Sequence, residues 1–107
     1  MTTPGKPSEG MVSVKTPAVE VRVPPLLRKF TVGAREVRAE GATVADLIDN
    51  LDSSYQGLKT EIVNPDGSIR RFINIYRNGE DIRYLDRLGT QLNEGDIVAI
   101  LPAVAGG

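Results

Sequence analysis

The side chains most often used for chemistry are missing from this 107-residue chain, which has no histidine and no cysteine. Their absence removes the commonest general base, the commonest metal ligand, any thiolate nucleophile and any disulfide. Side-chain catalysis is left to Asp, Glu, Lys, Tyr, Ser and Thr. Asp46, Asp49 and Asp52 come closest to a carboxylate cluster. No neighbouring residue pairs them for acid–base work, so they read as the solvated face of a helix. Arg70-Arg71 could touch a phosphate, but no basic stripe surrounds them and they read as a solvated loop. No glycine motif cradles a phosphate, and no carboxylates take EF-hand spacing. The residues do not read as a self-sufficient enzyme, and no metal site is expected.

The stretch with a chemical suggestion is the last one. Residues 97–107, Ile-Val-Ala-Ile-Leu-Pro-Ala-Val-Ala-Gly-Gly, carry no charge in a chain that is 25% charged. The first five read as a strand apolar on both faces. Pro102 lacks a backbone donor and is expected to stop the ladder. Beyond it the side chains shrink until Gly106 and Gly107 have none. Six residues past Leu101 can extend about 20 Å, and a side-chain-free end suits a tunnel that admits only backbone. The group at the tip is the carboxylate of Gly107. An α-carboxyl group has a pKa of about 3.3–3.7, so near neutral pH it is an anion that resists nucleophiles. It needs a better leaving group before it can acylate anything, and a partner must supply one.

The elements that would position this tail follow from patterning. The length fits one small domain, and 13 basic against 14 acidic residues argue against nucleic acid or an anionic membrane as partner. No apolar run is long enough to span a bilayer and no secretory signal is visible, so the expected location is the cytoplasm. Residues 1–17, rich in Pro, Gly, Ser and Thr, read as a flexible leader in which Met11 offers a second start. Residues 18–23 alternate valine with polar residues, predicting a half-buried strand with Val19, Val21 and Val23 inward. Pro24-Pro25 ends it, and Leu26, Leu27 and Phe30 predict an apolar loop. Residues 35–39 read as an edge strand. Thr43 is a good N-cap, with Asp46 three residues on, and Val44, Leu47, Ile48 and Leu51 form one helical face. Leu58 and Ile62 suggest a second short helix, Asn64-Pro65-Asp66-Gly67 a turn, residues 72–77 a strand, and Asn78-Gly79 a hairpin turn. Leu85, Leu88 and Leu92 fall on an irregular connection, and residues 93–96 turn the chain into the closing strand.

This order predicts an α+β fold in which one helix covers one face of a small mixed sheet, with the first and last strands parallel and central. Either the set Phe72/Tyr76 or the set Ile73/Ile75, and either Ile97/Ala99/Leu101 or Val98/Ile100, must then face away from the helix. That far face is a partner surface unless the loop over residues 25–30 covers it.

Gly95-Asp96, the apolar strand, Pro102 and Gly106-Gly107 resemble the ThiS/MoaD family of ubiquitin-like sulfur carriers, which have a β-grasp fold. The similarity is closest to the branch of that family that serves cysteine synthesis. It is carried by Arg71-Phe72-Ile73-Asn74-Ile75-Tyr76, by Ile82-Arg83 and by residues 100–107, and runs from Val19 to Gly107. The leader falls outside it. The resemblance implies a domain over residues 18–101, a flexible tail over 102–107 and no cofactor bound by the chain itself. An activating enzyme would use ATP and magnesium to adenylate Gly107, and a sulfur donor would displace AMP to leave a thiocarboxylate. A partner synthase would accept the sulfur onto an activated serine derivative, and a metal-dependent peptidase would release the product. Gly106, Ala105, Val104 and Ala103 would then be the residues that thread. Val104 and Leu101 would be apolar anchors, and Leu101, Pro102, Phe72 and Tyr76 the partner-binding residues. The alternatives are a ubiquitin-like modifier that forms isopeptide bonds, a sulfur donor for a cofactor or secondary metabolite, and a β-grasp interaction module whose Gly-Gly ending is accidental.

Overall fold

Valine alternating with charged residues makes strand β1 (Ala18–Arg22), in which Val19 and Val21 are buried and Arg22 is exposed. The computed structural model describes residues 16–103, and what the sequence suggests for residues 1–15 and 104–107 lies outside them. After β1 come a 3₁₀ helix (Pro25–Thr31), β2 (Glu36–Glu40), α1 (Val44–Ser54), α2 (Leu58–Ile62), β3 (Ile73–Arg77) and β4 (Glu80–Asp81). Two 3₁₀ turns (Ile82–Tyr84 and Arg87–Gly89) then lead to β5 (Ile97–Pro102). The sheet order is β2-β1-β5-β3-β4. β5 is central and runs parallel to β1, as the apolar character of both strands predicts, while the other neighbours are antiparallel. With α1 on one face, this is the ubiquitin-like β-grasp architecture.

The helix forms where its capping and stripe require. Thr43 is extended, and its hydroxyl accepts from the Asp46 amide at 3.2 Å, satisfying one orphan donor of the first turn. Val44, Leu47, Ile48 and Leu51 are all buried and share one core with Val19, Val21, Val37, Ile73, Ile75, Val98 and Ile100. Each such side chain contributes about 1.5–3 kcal/mol on full burial, and this docks α1 on the sheet. Gly41 permits the close approach, since a Cβ there would lie 2.5 Å from the Leu47 amide nitrogen.

Two local expectations are refined. Asp46 and Asp49 are exposed, as a solvated helix face predicts, but Asp52 is half-buried and engaged. The Asp52 carboxylate accepts from the amides of Gly57 and Lys59 at 3.1 and 3.0 Å, and Asp49 pairs with Lys59 at 2.6 Å. The chain reverses at Gly57 (φ 94°), which brings the start of α2 back to the end of α1. Residues 25–30 do not cover the far face of the sheet. Leu27 is in the core, the 3₁₀ helix contacts α2, and Phe30 lies beside Gly57, so this segment closes the helix side. The Pro17 carbonyl accepts from the Gly41 amide at 3.1 Å, which ties the chain to the fold just before β1.

Candidate functional site: the open sheet face and the root of the tail

Strand alternation decides which residues face away from the helix. Ile73, Ile75, Val98 and Ile100 take the core side, so Asn74, Tyr76, Ile97, Ala99 and Leu101 take the open side. One row crosses all five strands on the open face: Glu36, Arg22, Ala99, Tyr76 and Asp81. The row is charged at its edges and apolar at its centre. Next along β5, Leu101 pairs with Asn74 and is 42% exposed, while Phe72, just before β3, is 63% exposed. A cleft of about 380 Å³ adjoins this end, lined by Pro24, Pro25, Arg28, Arg35, Leu101 and Pro102 among others. Of the expected partner-binding residues, Leu101, Pro102 and Phe72 are thus gathered at one end of the sheet around the root of the tail, whereas Tyr76, opposite Ala99, lies farther along the open face toward the Asp96 end. Ala103 is described and half-buried; Val104, Ala105, Gly106 and Gly107 lie outside the described residues.

The ladder does not stop at Pro102. Pro102 pairs with Ile73, and the Ala103 amide donates to the Phe72 carbonyl at 2.8 Å. Antiparallel pairs alternate between hydrogen-bonded and non-hydrogen-bonded. Phe72–Ala103 is a bonded pair, so Ile73–Pro102 is a non-bonded one, and the missing N–H faces away from β3. On that side β1 has already ended its pairing, at Arg22 opposite Ala99. The proline therefore costs no sheet hydrogen bond.

The opposite end of β5 is fixed by a polar knot. The buried Asp96 carboxylate accepts from Arg77 Nε at 2.9 Å, Asn78 Nδ2 at 3.0 Å and the Asn93 amide at 2.8 Å. Asn78 Oδ1 accepts from the Ile97 amide at 2.9 Å, and Asn78-Gly79, both at positive φ, make the expected hairpin turn. Burial works to raise the Asp96 pKa, but the hydrogen bonds from Asn78, Asn93 and Arg77 outweigh it and hold the carboxyl below its ordinary value.

A second knot borders the open face. Arg83 donates to both oxygens of the buried Asp81 and to Asn74 Oδ1 at 2.8 Å, fixing a guanidinium beside the Asn74–Leu101 pair. The hydrogen bond from Arg83 holds the Asp81 carboxyl below its usual range. Residue patterning missed this cluster because its members are scattered over three elements; only the Ile82-Arg83 resemblance pointed near it. The carbonyl of Phe72 was missed as well, since sequence reading weighs side chains and the contact is main-chain.

No group of three or more His, Cys, Asp or Glu placed to hold a metal occurs among the described residues. No helix among them is long and apolar enough to cross a membrane. The arrangement ties β5 by hydrogen bonds at its Asp96 end and brings its other end, Leu101 to Ala103, beside exposed Phe72.

The sequence matches the ThiS family over residues 21–107. The chain belongs to this family. The sulfur carrier protein CysO of Mycobacterium tuberculosis is 43% identical over 91 residues, covering 83% of this chain and 98% of CysO. A chain of the crystal structure of the Amycolatopsis orientalis BexX/CysO complex superposes with a TM-score of 0.77 at 44% identity, covering 83% of this chain and 99% of that one. Small archaeal modifier protein 3 of Haloferax volcanii is 37% identical over 68 residues, covering 64% of this chain and 73% of the modifier. As a ThiS-family protein with named sulfur carriers among its relatives, the chain has a carrier's role and is not an enzyme.

Proposed function

We propose that this ThiS-family carrier transports sulfur as a thiocarboxylate on Gly107 and delivers it, through a partner synthase, to cysteine synthesis. The observation that carries the reading is the central strand β5, held by hydrogen bonds at its Asp96 end and finishing at Pro102, next to Ala103 and beside exposed Leu101 and Phe72. An activating partner consumes ATP with magnesium and joins the Gly107 carboxylate to AMP, releasing pyrophosphate. A sulfur donor then attacks the acyl carbon and AMP leaves, so that one carboxylate oxygen is replaced by sulfur. On the synthase the thiocarboxylate sulfur takes the place of the leaving group of an activated serine derivative, so the product stays joined to the carrier through Gly107 until a metal-dependent peptidase hydrolyses it free. Docking uses the patch of Leu101, Pro102, Phe72 and Tyr76, while Val104, Ala105 and Gly106 thread; Ala103, expected to thread with them, is instead held by the Phe72 carbonyl at their root. The same reading puts the work in the cytoplasm. The A. orientalis complex of BexX with CysO supports a partner-dependent role.

The test is intact mass. Chain ending at Gly107, incubated with its host's adenylating enzyme, ATP, magnesium and sulfide, should gain the mass difference of sulfur for oxygen. Deleting Gly107, or making Gly106→Phe, should abolish the gain while leaving the melting curve unchanged. A Gly107 deletion that still charged would sink the reading. The similarity to an archaeal modifier favours one rival: if wild type appears attached to lysines of other proteins, it is a modifier.

A further inference from the structure

The register of β3 and β5 shows where the tail begins. Arg22–Ala99 is the last β1–β5 pair, and Pro102 has no N–H to offer on that side. On the other side, Leu101 lies opposite Asn74, and the last main-chain hydrogen bond among the described residues is Ala103 N–H to the Phe72 carbonyl, 2.8 Å. Its acceptor is itself fixed. The Ile73 amide donates to the Arg70 carbonyl at 3.0 Å, the Arg70 amide to the Ile62 carbonyl at 2.9 Å, and Arg70 Nε to the Thr60 carbonyl at 2.6 Å. Phe72 is therefore tied through Arg70 to the end of α2, and Ala103 is tied to Phe72.

We propose that the Ala103–Phe72 hydrogen bond is a tether that sets the reach and direction of the reacting carboxylate, making the Ala103 amide a positioning group for charging. This rests on the carrier reading above. With the tether made, four residues follow it, a reach of about 13–14 Å at full extension. With it broken, the next bonded pair is Asn74–Leu101; six residues are then free and the reach is about 20 Å. Chain entropy alone makes that lengthening cost about twofold in effective concentration at a partner's active site. Direction matters more, because a misplacement of about 1 Å at the reacting carbon can cost on the order of a hundredfold in rate. Docking uses the side chains of the sheet patch, Phe72 among them, whereas this bond is main-chain to main-chain, so the tether governs turnover and leaves binding of the carrier close to unchanged.

The discriminating variants are Ala103→Pro, which removes the donor, and Ala103→Ser, which keeps it. Charging by the host's adenylating enzyme with ATP, magnesium and sulfide is followed by intact mass across carrier concentrations. We expect Ala103→Pro to lower kcat tenfold or more, with KM and melting temperature close to wild type, and Ala103→Ser to charge within about threefold of wild type. Hydrogen exchange should show the Ala103 amide at least tenfold slower than the Ala105 amide. Ala103→Pro charging within twofold of wild type, Ala103→Ser as slow as Ala103→Pro, or an Ala103 amide exchanging as fast as that of Ala105 would each overturn the tether. If wild type itself does not charge, the carrier reading falls and the tether falls with it; if wild type charges and Ala103→Pro charges equally, the tether alone falls.

Discussion

Ile100 and Leu101 are adjacent on one strand and serve opposite faces of the sheet. Ile100 is 2% exposed within the core beneath α1, whereas Leu101 is 42% exposed on the far side. The same division runs through β3, where Ile73 and Ile75 are buried while Asn74 and Tyr76 are only half-buried. An ordinary two-layer α+β domain needs only one apolar sheet face. Here the second face keeps apolar residues at its centre without a covering element among the described residues. The comparison separates the surface that holds the fold together from the surface left for a partner.

The largest effect should come from the helix side. Leu47→Ala or Ile100→Ala removes a fully enclosed side chain and should cost about 2–5 kcal/mol, the lost transfer energy plus that of the cavity left behind. Denaturant titration measures this directly. A loss within the error of that titration at either position would break the assignment of faces.

At the base of β5 the two faces share a support that is electrostatic, and its contribution should be intermediate. Asp96→Asn exchanges a buried carboxylate acceptor for an amide whose N–H₂ meets either the Asn78 donor at one oxygen position or the Arg77 and Asn93 donors at the other. Hydrogen bonds to a charged group are worth about 1.5–3 kcal/mol, and a loss of that order is expected at pH 7. The folded-state pKa of Asp96 lies below the unfolded value. Its stabilisation is therefore fully present above the unfolded carboxyl pKa of about 3.9 and is lost as pH falls through the lower folded value. The stability gap between wild type and Asp96→Asn should shrink from pH 7 to pH 2. A gap that widened on acidification would contradict the hydrogen-bonded carboxylate.

How much of this was legible in the sequence depends on the range of the forces involved. The α1 stripe, the Thr43 cap, the Asn78-Gly79 turn and the parallel central pair follow from local pattern and strand burial, and the structure reproduces them. The open face was legible only as two alternating sets, because parity along a strand does not say which set meets the helix. Residue patterning did not give the Asp81–Arg83–Asn74 cluster or the clamp of Asp52 on α2, since both depend on where distant turns bring polar groups. Pro102 was misread for a related reason. A proline interrupts a ladder only where its nitrogen faces a neighbour, and that direction is a property of the register. The tail chemistry came from the resemblance together with the elimination of side-chain catalysts, and residues 104–107 lie outside the described structure.

The smallest stability effect sharpens the comparison most. Leu101→Ala removes a side chain that already meets solvent over 42% of its surface, so the area returned to water on truncation is limited. At about 25 cal/mol per Å² the loss should stay below about 1 kcal/mol, well short of that for its neighbour Ile100. Its main-chain place opposite Asn74 is untouched, so the strand and the tail root persist. If the open face is the docking surface, an apolar residue at its centre next to exposed Phe72 is where binding energy concentrates, and truncation should weaken affinity for the adenylating partner about tenfold or more. Calorimetric titration of the carrier into that partner, alongside denaturant unfolding of the same preparation, reads both quantities. Leu101→Ala that unfolds as readily as Ile100→Ala would place Leu101 with the core. Leu101→Ala that keeps full stability and full affinity would mean that partners dock elsewhere, leaving the open face without the role its composition suggests.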